Sequence, residues 1–430
     1  MDTSSLAFAR SASIVECLAR WRERTPDRHA LHVLRDGEQV ERSISYRELH
    51  DTSLQVAQGL RRRCAPKGRV LLLLPNDFSF VASFYGCLAA GLVAIPAYHP
   101  QQPKKVGQWK KLQAIAENSG ASLIIAPPRS AEVLAAMQAN EGLFRHCQLE
   151  TCDGLLAAGA GATDALPRPS ASDLAFLQYT SGSTGAPKGV MITHDNILRN
   201  QEVIASLMGN SAATRVVSWL PLYHDMGLSA VLQMGSVGCS VVLMSPADFI
   251  QKPLRWMKAI SEHRAQTSGG PNFAYRLAAA ALQSPEAAGL GLDLSSWDLA
   301  FCGAEPIQRD TVSEFVGAAA THGFDGRAFF SCYGLAEATV MVTGVAKGSG
   351  LQCLEVNKAE LAQGAVRRAE PSDPNAKALV ACGTTAAGHE VRIVAADGTP
   401  VAGDAQVGEV WVRGPSVGAG YYGNAEATDA

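Results

Sequence analysis

The sequence predicts an α/β protein built on a mostly parallel sheet, or on two of them, with a small antiparallel β subdomain near its C-terminal end. Short apolar runs alternate along the chain with longer segments that have helical spacing. Most of the apolar runs are continuous, as expected for strands that are covered on both faces. From about Ala386 onward, β-rich segments are separated by turn signals such as Asp397-Gly398.

The chain has 430 residues and is 47% hydrophobic, which is more than one compact core usually holds. Two or three subdomains are therefore expected. Charged residues make up 18% of the chain and the formal net charge is -3, so no basic excess indicates a nucleic-acid partner. The 10 cysteines are scattered without C-x-x-C spacing, and residues 1–20 lack the pattern of a signal peptide. These features predict a cytoplasmic protein with reduced thiols.

The apolar runs and helical patterns define the predicted elements of the α/β part. The predicted strands are residues 70–74, 92–95, 122–126, 174–178, 216–219, 240–244, 299–302 and 328–330. The predicted helices between them include residues 77–90, 196–206, 252–263 and 309–320. Such alternation is typical of βαβ units and a parallel sheet. In the tail, residues 390–394 and 409–413 are the predicted antiparallel strands.

Residues 80–98 carry no charge and are long enough to suggest a membrane span. Gly91 is a good helix stop and Pro96 ends a short β-like run, so a buried helix followed by a buried strand is favoured over a span. Residues 157–172, rich in Ala, Gly and Pro, are interpreted as a linker. The polar segment 347–378 has the character of an insertion before the β tail.

The strongest local signal is the loop Tyr-Thr-Ser-Gly-Ser-Thr-Gly-Ala-Pro-Lys-Gly at residues 179–189, which follows a predicted strand. Its glycines permit close approach, its hydroxyls and free N–H groups can bind phosphate oxygens, and Lys188 can neutralise phosphate charge. No G-K-[ST] follows at Walker A spacing, which argues against a P-loop kinase or GTPase. The alternative interpretation is a flexible Gly/Ser/Thr loop.

A second glycine pattern, residues 418–423, fits G-x-G-x-x-G. Only seven residues follow it, so no helix and second strand can complete a dinucleotide-binding unit within this chain. We interpret this pattern as turn chemistry.

The phosphate loop resembles the signature loop of the adenylate-forming superfamily, which includes acyl-CoA synthetases, adenylation domains of peptide synthetases, and luciferases. Four further segments resemble superfamily motifs in the same order. They are residues 218–228 (Ser-Trp-Leu-Pro-Leu-Tyr-His-Asp-Met-Gly-Leu), Gly303-Ala304-Glu305-Pro306, Tyr333-Gly334-Leu335-Ala336-Glu337, and residues 408–415 followed by Gly420-Tyr421. Five ordered motifs are far more specific than any one of them.

Within the superfamily, the chain looks most like the fatty acyl-AMP ligases. The resemblance rests on residues 220–228, on Ala336 where acyl-CoA synthetases usually have Thr, and on the extra segment 345–379. In that family an insertion packs against the moving C-terminal domain and is thought to block CoA thiolation. The acyl group then goes to the phosphopantetheine arm of an acyl carrier protein. An acyl-CoA synthetase and a non-catalytic nucleotide- or acyl-binding module remain the alternatives.

The resemblance implies two mostly parallel sheets flanked by helices in αβαβα layers, with a small antiparallel, β-barrel-like subdomain. The predicted units are residues 1–172, 173–344 (with the phosphate loop), 345–379 (the insertion) and 380–430. The family's T-G-D motif and its C-terminal domain with the adenylation lysine would follow Ala430. The chain is therefore expected to be an N-terminal domain that has weak activity alone.

The resemblance also implies the reaction, in which a carboxylate attacks the α-phosphorus of ATP in the presence of Mg²⁺ and pyrophosphate leaves. The implied catalytic residues are Thr184, Lys188, His224 and Glu337, of which Thr184 and Glu337 would bind Mg²⁺. The implied ATP- and AMP-binding residues are Thr180, Ser181, Gly182, Ser183, Thr184, Gly185, Lys188, Gly303, Ala304, Glu305, Pro306, Ser331, Cys332, Tyr333, Gly334, Leu335 and Ala336.

An apolar acyl tunnel is implied as well. Its implied residues are His224, Met226, Gly269, Gly270, Asn272, Phe273, Tyr275 and Leu335. The alternative is that the apolar members are ordinary core residues. A His next to an Asp is more often structural than catalytic, but the motif favours His224 as a gate or electrostatic guide for the substrate carboxylate. A general base is not needed, because a carboxylate is already ionised at neutral pH.

Overall fold

The computed structural model describes residues 11–100, 106–180, 187–403 and 406–429. The strands of these residues are β1 (His29–Arg35), β2 (Gln39–Ser45), β3 (Arg69–Leu72), β4 (Val93–Pro96), β5 (Leu123–Ile125), β6 (Gln148–Glu150), β7 (Leu174–Thr180), β8 (Lys188–Thr193), β9 (Arg215–Ser218), β10 (Ser240–Leu243), β11 (Thr267–Gly270), β12 (Leu299–Cys302), β13 (Phe329–Gly334), β14 (Met341–Gly344), β15 (Cys353–Asn357), β16 (Ala376–Val380), β17 (Thr384–Thr385), β18 (Glu390–Val394) and β19 (Glu409–Arg413). The helices are α1 (Ile14–Arg24), α2 (Tyr46–Arg61), α3 (Phe78–Ala89), α4 (Val106–Ser119), α5 (Pro128–Asn140), α6 (Cys152–Gly159), α7 (His194–Met208), α8 (Asp225–Val237), α9 (Pro246–Gln251), α10 (Leu254–His263), α11 (Asn272–Leu282), α12 (Pro285–Ala288), α13 (Arg309–Ala320), α14 (Lys358–Leu361) and α15 (Ala425–Asp429).

Two large sheets organise the described residues. The smaller has the order β6-β5-β3-β4-β7-β8 and is parallel except for β8, which runs antiparallel to β7. The larger has the order β17-β14-β13-β12-β11-β9-β10-β1-β2 and is antiparallel only at its two ends. The prediction of two mostly parallel sheets is confirmed.

Side-chain alternation along the strands sorts the core into layers. Val70 and Leu72 of β3 point into a core that also takes side chains from β9, β10 and helices α1, α2, α3, α7 and α8, so these helices lie between the sheets. Leu71 points the other way, into a cluster with helices α4 and α5. Helices α10, α11 and α13 cover the outer face of the larger sheet. The result is the expected αβαβα layering.

The sheets do not follow the predicted boundary at residue 172. Strands β1 and β2, from the N-terminal region, complete the larger sheet, and β7 and β8 complete the smaller one. Strands β1, β2, β8 and β11 were not among the predicted strands. The predicted linker also begins inside a helix, because α6 extends to Gly159.

The tail differs from the expected barrel. Strands β18 and β19 pair antiparallel with the predicted bounds, but they form a two-stranded sheet, and no closed barrel forms among the residues described. The predicted insertion contains α14 and a second two-stranded sheet, β15 with β16.

The uncharged segment 80–98 forms part of the buried helix α3 and the buried strand β4, as predicted. Helix α3 begins where Asp77 accepts hydrogen bonds from the backbone N–H groups of Ser79 and Phe80, which satisfies two donors at its first turn. No helix in the described part of the chain is long and apolar enough to cross a membrane.

Candidate active site

Helix α7 fixes two backbone segments that carry site residues. It begins in a capping box between Thr193 and Asn196, and the Asn196 amide also donates to the carbonyl oxygens of Pro415 and Val417 at 2.9 and 3.0 Å. One turn further on, the buried Asn200 amide donates to the carbonyl oxygens of Ala338 and Met341 at 3.1 and 2.9 Å. The turn with Glu337 and the tail segment before Tyr421 are thus tied to one helix.

Glu337 and Tyr421 meet directly. The Tyr421 hydroxyl donates a 2.7 Å hydrogen bond to Glu337 Oε1, and Lys188 Nζ lies 5.2 Å from the centroid of the Tyr421 ring. Burial, followed by the bond to Glu337, raises the pKa of Tyr421 to about 12, so the hydroxyl stays a neutral donor at physiological pH. Two predicted site residues are therefore linked through a tyrosine.

The second glycine pattern is more than a turn, which corrects our interpretation of it. Met191 of β8 donates to the carbonyl of Gly420 and accepts from the backbone N–H of Ala419, both at 2.9 Å. Tyr422 donates to the carbonyl of Gly189. Residues 418–422 thus lie along β8, and this pairing delivers Tyr421 to the site.

The phosphate loop joins β7 to β8, and Thr180 pairs with Lys188 at the last described position of this ladder. The predictions for Ser181, Gly182, Ser183, Thr184 and Gly185 fall outside the described residues. Lys188 itself is half-buried at the first position of β8.

The turn after Glu337 holds an unusual backbone conformation. Thr339 has φ 71° and ψ -58°, and the backbone N–H of Val340 donates to the carbonyl of Ala338 at 3.0 Å, which closes a γ-turn. A positive φ is strained for a β-branched residue. The Thr339 hydroxyl compensates in part by donating to the carbonyl of Ser416 at 2.7 Å. Strain of this kind concentrates at functional sites.

His224 stands at the start of α8, with 52% of its side chain exposed. Its Nδ1 lies 2.6 Å from Asp225 Oδ1, which also accepts from the backbone N–H of Met226. The hydrogen bond to Asp225 raises the pKa of His224 and burial opposes that rise. Asp225 therefore orients the imidazole and favours its charged form.

A mostly apolar cavity opens beside His224 and runs between helices α7 and α8 and the larger sheet. Its lining residues are Ile204, Met208, Asn210, Val216, Ser218, His224, Asp225, Met226, Ser229, Ala230, Gln233, Thr267, Phe301, Gly303, Ala304, Cys332, Tyr333, Gly334, Val340 and Met341. The cavity brings together seven predicted residues: His224, Met226, Gly303, Ala304, Cys332, Tyr333 and Gly334. Ala304 has φ 67° at the end of β12, a second strained position.

Six of the eight residues predicted to contact the acyl chain do not line this cavity, and three of them, Tyr275, Gly269 and Gly270, are buried in the core. Tyr275 is fully buried in the outer core, where its hydroxyl donates to the carbonyl of Phe301. A Cβ at Gly269 would lie 2.1 Å from the backbone oxygen and 2.6 Å from the ring of Phe301, and a Cβ at Gly270 would lie 2.7 Å from the Trp219 ring. These glycines make room for aromatic side chains and do not line the cavity.

Asn272 and Glu305 join two segments to each other. Asn272 Oδ1 accepts from the backbone N–H of Gln308, and Glu305 Oε1 accepts from the backbone N–H of Phe273. Asn272 therefore has a structural partner outside the cavity. Phe273 lines a separate apolar recess on the other side of His224 and Met226, together with Trp219 and Ile250.

The remaining predicted residues surround the site without entering the cavity. Ser331 is fully buried and donates to the carbonyl of Ala381, and Ala336 packs in the central core. Pro306 is exposed. The backbone N–H of Leu335 donates to the carbonyl of Val340 and so closes the turn that carries Glu337.

Our sequence reasoning missed Tyr421 and most of the cavity wall on helices α7 and α8. The α8 residues Met226, Ser229, Ala230 and Gln233 recur at helical spacing and share one face. That spacing was the available signal, although it is equally typical of an ordinary core face.

Glu337 is suited to Mg²⁺ as a single carboxylate ligand, with Oε1 already holding the Tyr421 hydroxyl. The described residues contain no group of three or more His, Cys, Asp or Glu side chains that could hold a metal ion.

The sequence matches the AMP-binding enzyme family over residues 18–422. It is 35% identical to a medium-chain-fatty-acid–[acyl-carrier-protein] ligase of Teredinibacter turnerae, over 94% of this chain and 68% of that protein. It is 31% identical to a long-chain-fatty-acid–AMP ligase of Mycolicibacterium smegmatis, over 99% of this chain and 68% of that protein. The crystal structure of a fatty acyl-adenylate ligase from L. pneumophila, in complex with acyl adenylate and pyrophosphate, superposes with a TM-score of 0.89 at 34% identity, covering 98% of this chain and 72% of that one.

Proposed function

Because the chain belongs to the AMP-binding enzyme family of adenylate-forming enzymes, we propose that it is the substrate-binding part of a fatty acyl-AMP ligase. The reaction joins a fatty-acid carboxylate to the α-phosphorus of ATP and releases pyrophosphate. The acyl group would then pass to the phosphopantetheine thiol of an acyl carrier protein.

One observation carries the proposal. A mostly apolar cavity is lined by His224 together with Gly303, Ala304 and Tyr333. Tyr333 lies on β13, close in sequence to the turn with Glu337. An apolar chain and a polyphosphate could therefore meet at one point, which is the arrangement that acyl-adenylate formation requires.

The proposed roles follow from charge. Both reactants are anions, so the site must supply positive charge and fixed orientation. Lys188, at the end of the phosphate loop, would offset phosphate charge, with residues 180–185 supplying hydroxyls and N–H groups. His224, held by Asp225, would attract the carboxylate at the mouth of the cavity. Tyr333 would lie against adenine.

Thr184 and Glu337 would supply protein ligands for Mg²⁺, which neutralises phosphate charge when it is bound. Tyr421 would hold the Glu337 carboxylate in place by its hydrogen bond to Oε1. Outer partners of this kind orient a ligand and commonly matter almost as much as the ligand itself.

The proposed acceptor is a carrier protein and not CoA, and this part rests on residues 345–379 as a ligase-type insertion. In the structure, β15 of this segment is joined to α13 by an ion pair of 2.5 Å between Arg309 and Glu355. A segment fixed to the body of the protein in this way could restrict a moving partner domain. Acyl-CoA synthetase activity is the alternative, since it differs only in the acceptor.

The test is mass spectrometry of the products that the full-length protein forms from ATP, Mg²⁺ and dodecanoate, with and without CoA. The proposal expects acyl-AMP that persists when CoA is added and is consumed by a phosphopantetheinylated carrier protein. Conversion to acyl-CoA would replace the ligase assignment with the synthetase. If no acyl-AMP forms and Lys188→Ala with Glu337→Ala leaves ATP binding unchanged, the protein would be a non-catalytic module.

A further inference from the structure

The relatives differ in the chain length that their names give, since one is a medium-chain and another a long-chain ligase. We infer that this protein selects medium-chain acids, because its acyl cavity is closed at the far end by a buried amide network that includes Gln233. The inference rests on the proposed function and deepens it.

Helix α8 runs along the length of the cavity and gives one measure of its depth. Met226, Ser229, Ala230 and Gln233 line the cavity in this order along the helix. We take the end at His224 and Met226 as the mouth, and Gln233 then marks the far end. Seven residues separate Met226 from Gln233, and at about 1.5 Å per residue the wall between them is about 10 Å long.

The larger sheet gives an independent measure. Gly303 frames the mouth directly after β12, and Thr267 lines the far end from the first position of β11. Thr267 pairs with Leu299, four residues before Gly303, and at about 3.3 Å per residue that separation is about 13 Å. The two walls therefore agree on a depth of about 10–13 Å.

Hydrogen-bonded amides form the floor of the cavity. Asn210 Nδ2 donates to Gln233 Oε1 at 3.2 Å, and the Thr267 hydroxyl donates to Asn210 Oδ1 at 3.0 Å. Gln233 Nε2 in turn donates to the backbone carbonyl oxygen and to Oε1 of Gln201, at 3.0 and 2.8 Å. These four side chains are all less than 5% exposed.

The floor acts as a wall because its members bond to one another. An alkyl chain that reached further would have to displace Gln233 or Asn210 and leave buried amides without partners. A buried amide that loses its partner in this way destabilises the complex with the longer acid. An alkyl chain that stops short of the floor leaves every one of these hydrogen bonds intact. The network therefore penalises acids that are too long more than it stabilises acids that fit.

The depth of the cavity limits the length of the fatty acid that it can hold. With carbon–carbon bonds of about 1.5 Å, an extended alkyl chain advances about 1.3 Å per carbon, so the cavity holds about eight to ten carbons beyond the carboxylate. Octanoate, decanoate and dodecanoate fall near this limit. Hexadecanoate exceeds it by several carbons, and a mismatch of even one methylene in an apolar pocket commonly changes kcat/KM by about tenfold or more.

The test measures kcat/KM of the full-length protein for acyl-AMP formation from octanoate, decanoate, dodecanoate and hexadecanoate. Titration calorimetry with the N-decanoyl and N-hexadecanoyl derivatives of sulfamoyl adenosine measures the same preference without turnover. We expect hexadecanoate to be at least about tenfold poorer than decanoate in both measurements.

Two variants move the limit in opposite directions. Gln233→Ala removes the floor and should improve hexadecanoate relative to decanoate by about tenfold, and Ala230→Leu fills the middle and should shift the optimum to octanoate. Gln58→Ala is the matched control, since Gln58 is a buried glutamine that bonds the carbonyl of Asp164 away from the cavity. Its chain-length profile should equal that of the unmodified protein.

A preference of the unmodified protein for hexadecanoate would overturn the inference, as would profiles that neither Gln233→Ala nor Ala230→Leu shifts. If Gln233→Ala fails to fold, Ala230→Leu and the unmodified protein still decide the question. Absence of acyl-AMP from every acid would overturn the proposed function instead, and the calorimetric preference would then test the closed cavity by itself.

Discussion

The Tyr421 hydroxyl donates a 2.7 Å hydrogen bond to Glu337 Oε1, although 84 residues separate the two in sequence. The tail segment thereby positions the carboxylate that we propose as a Mg²⁺ ligand. Lys188 Nζ lies 5.2 Å from the centroid of the same ring, so one tyrosine is next to both charged groups of the proposed phosphate site.

Tyr421→Phe removes this hydrogen bond and keeps the ring. Because the bond orients the carboxylate, we expect the apparent affinity for Mg²⁺ in acyl-AMP formation to fall by about tenfold. A Mg²⁺ titration of the full-length variant measures this, with Tyr422→Phe as the control. An unchanged Mg²⁺ dependence would mean that Tyr421 does not position the ligand.

Lys188→Ala should lower kcat/KM for ATP by about 10²- to 10³-fold, because removal of one preorganised charge from a transition state commonly costs that much. Lys67→Ala is the control, since Lys67 is an exposed lysine on another loop. Steady-state kinetics of pyrophosphate release provide the measurement. Equal effects of the two substitutions would contradict the role of Lys188.

The raised pKa of His224 predicts a pH dependence of fatty-acid binding. The group stays protonated to higher pH than a free histidine, so its attraction for a carboxylate is complete below the ordinary pKa and is lost as pH rises through the raised pKa. We expect KM for the fatty acid to increase across that window and KM for ATP to change less.

His224→Gln should give a high KM for the fatty acid that no longer varies with pH in this range. A KM that follows the same pH profile in the variant would assign the titration to another group. The stability of the unmodified protein should follow the same direction, with the contribution of His224 present at low pH and lost as pH rises through its raised pKa.

Asn200→Ala should lower the free energy of unfolding by about 1–3 kcal/mol, because it leaves the carbonyl oxygens of Ala338 and Met341 buried without their donor. It should also lower activity, since these bonds hold the turn with Glu337. Denaturant unfolding measures the first effect, and the exposed Asn140→Ala provides the control. If the variant lost stability but kept full activity, these bonds to the turn with Glu337 would not be needed for catalysis.

Much of the α/β framework could be predicted because buried parallel strands are continuous apolar runs. Strand β12 and helix α13 have the predicted bounds. Strand β2 escaped prediction because most of its side chains are exposed and polar, and β11 escaped because two of its four residues are glycines. These strands are defined by their neighbours in the sheet and not by local propensity.

The site was harder to predict than the fold. Sequence motifs identified His224 and Tyr333, which line the cavity together although one begins helix α8 and the other lies on β13. Gly269, Gly270 and Tyr275 are absent from the lining of this cavity, and the sequence could not decide their role because an apolar tunnel and an apolar core require the same side chains. Tyr421 was missed because its partner lies 84 residues away and no local pattern encodes that distance.

The exchange of strands between the two sheets has a consequence for folding. Strand β1 pairs with the nearby β2 on one side, but on its other side residues 29–35 find their partner only at residues 240–243. Such long separations give a high contact order, which slows folding and delays closure of the sheet. During synthesis, β1 and β2 would remain without β10 until more than half of the chain has been made. A fragment that ends at residue 172 should therefore aggregate rather than fold, because it exposes unpaired strand edges that only later segments cover.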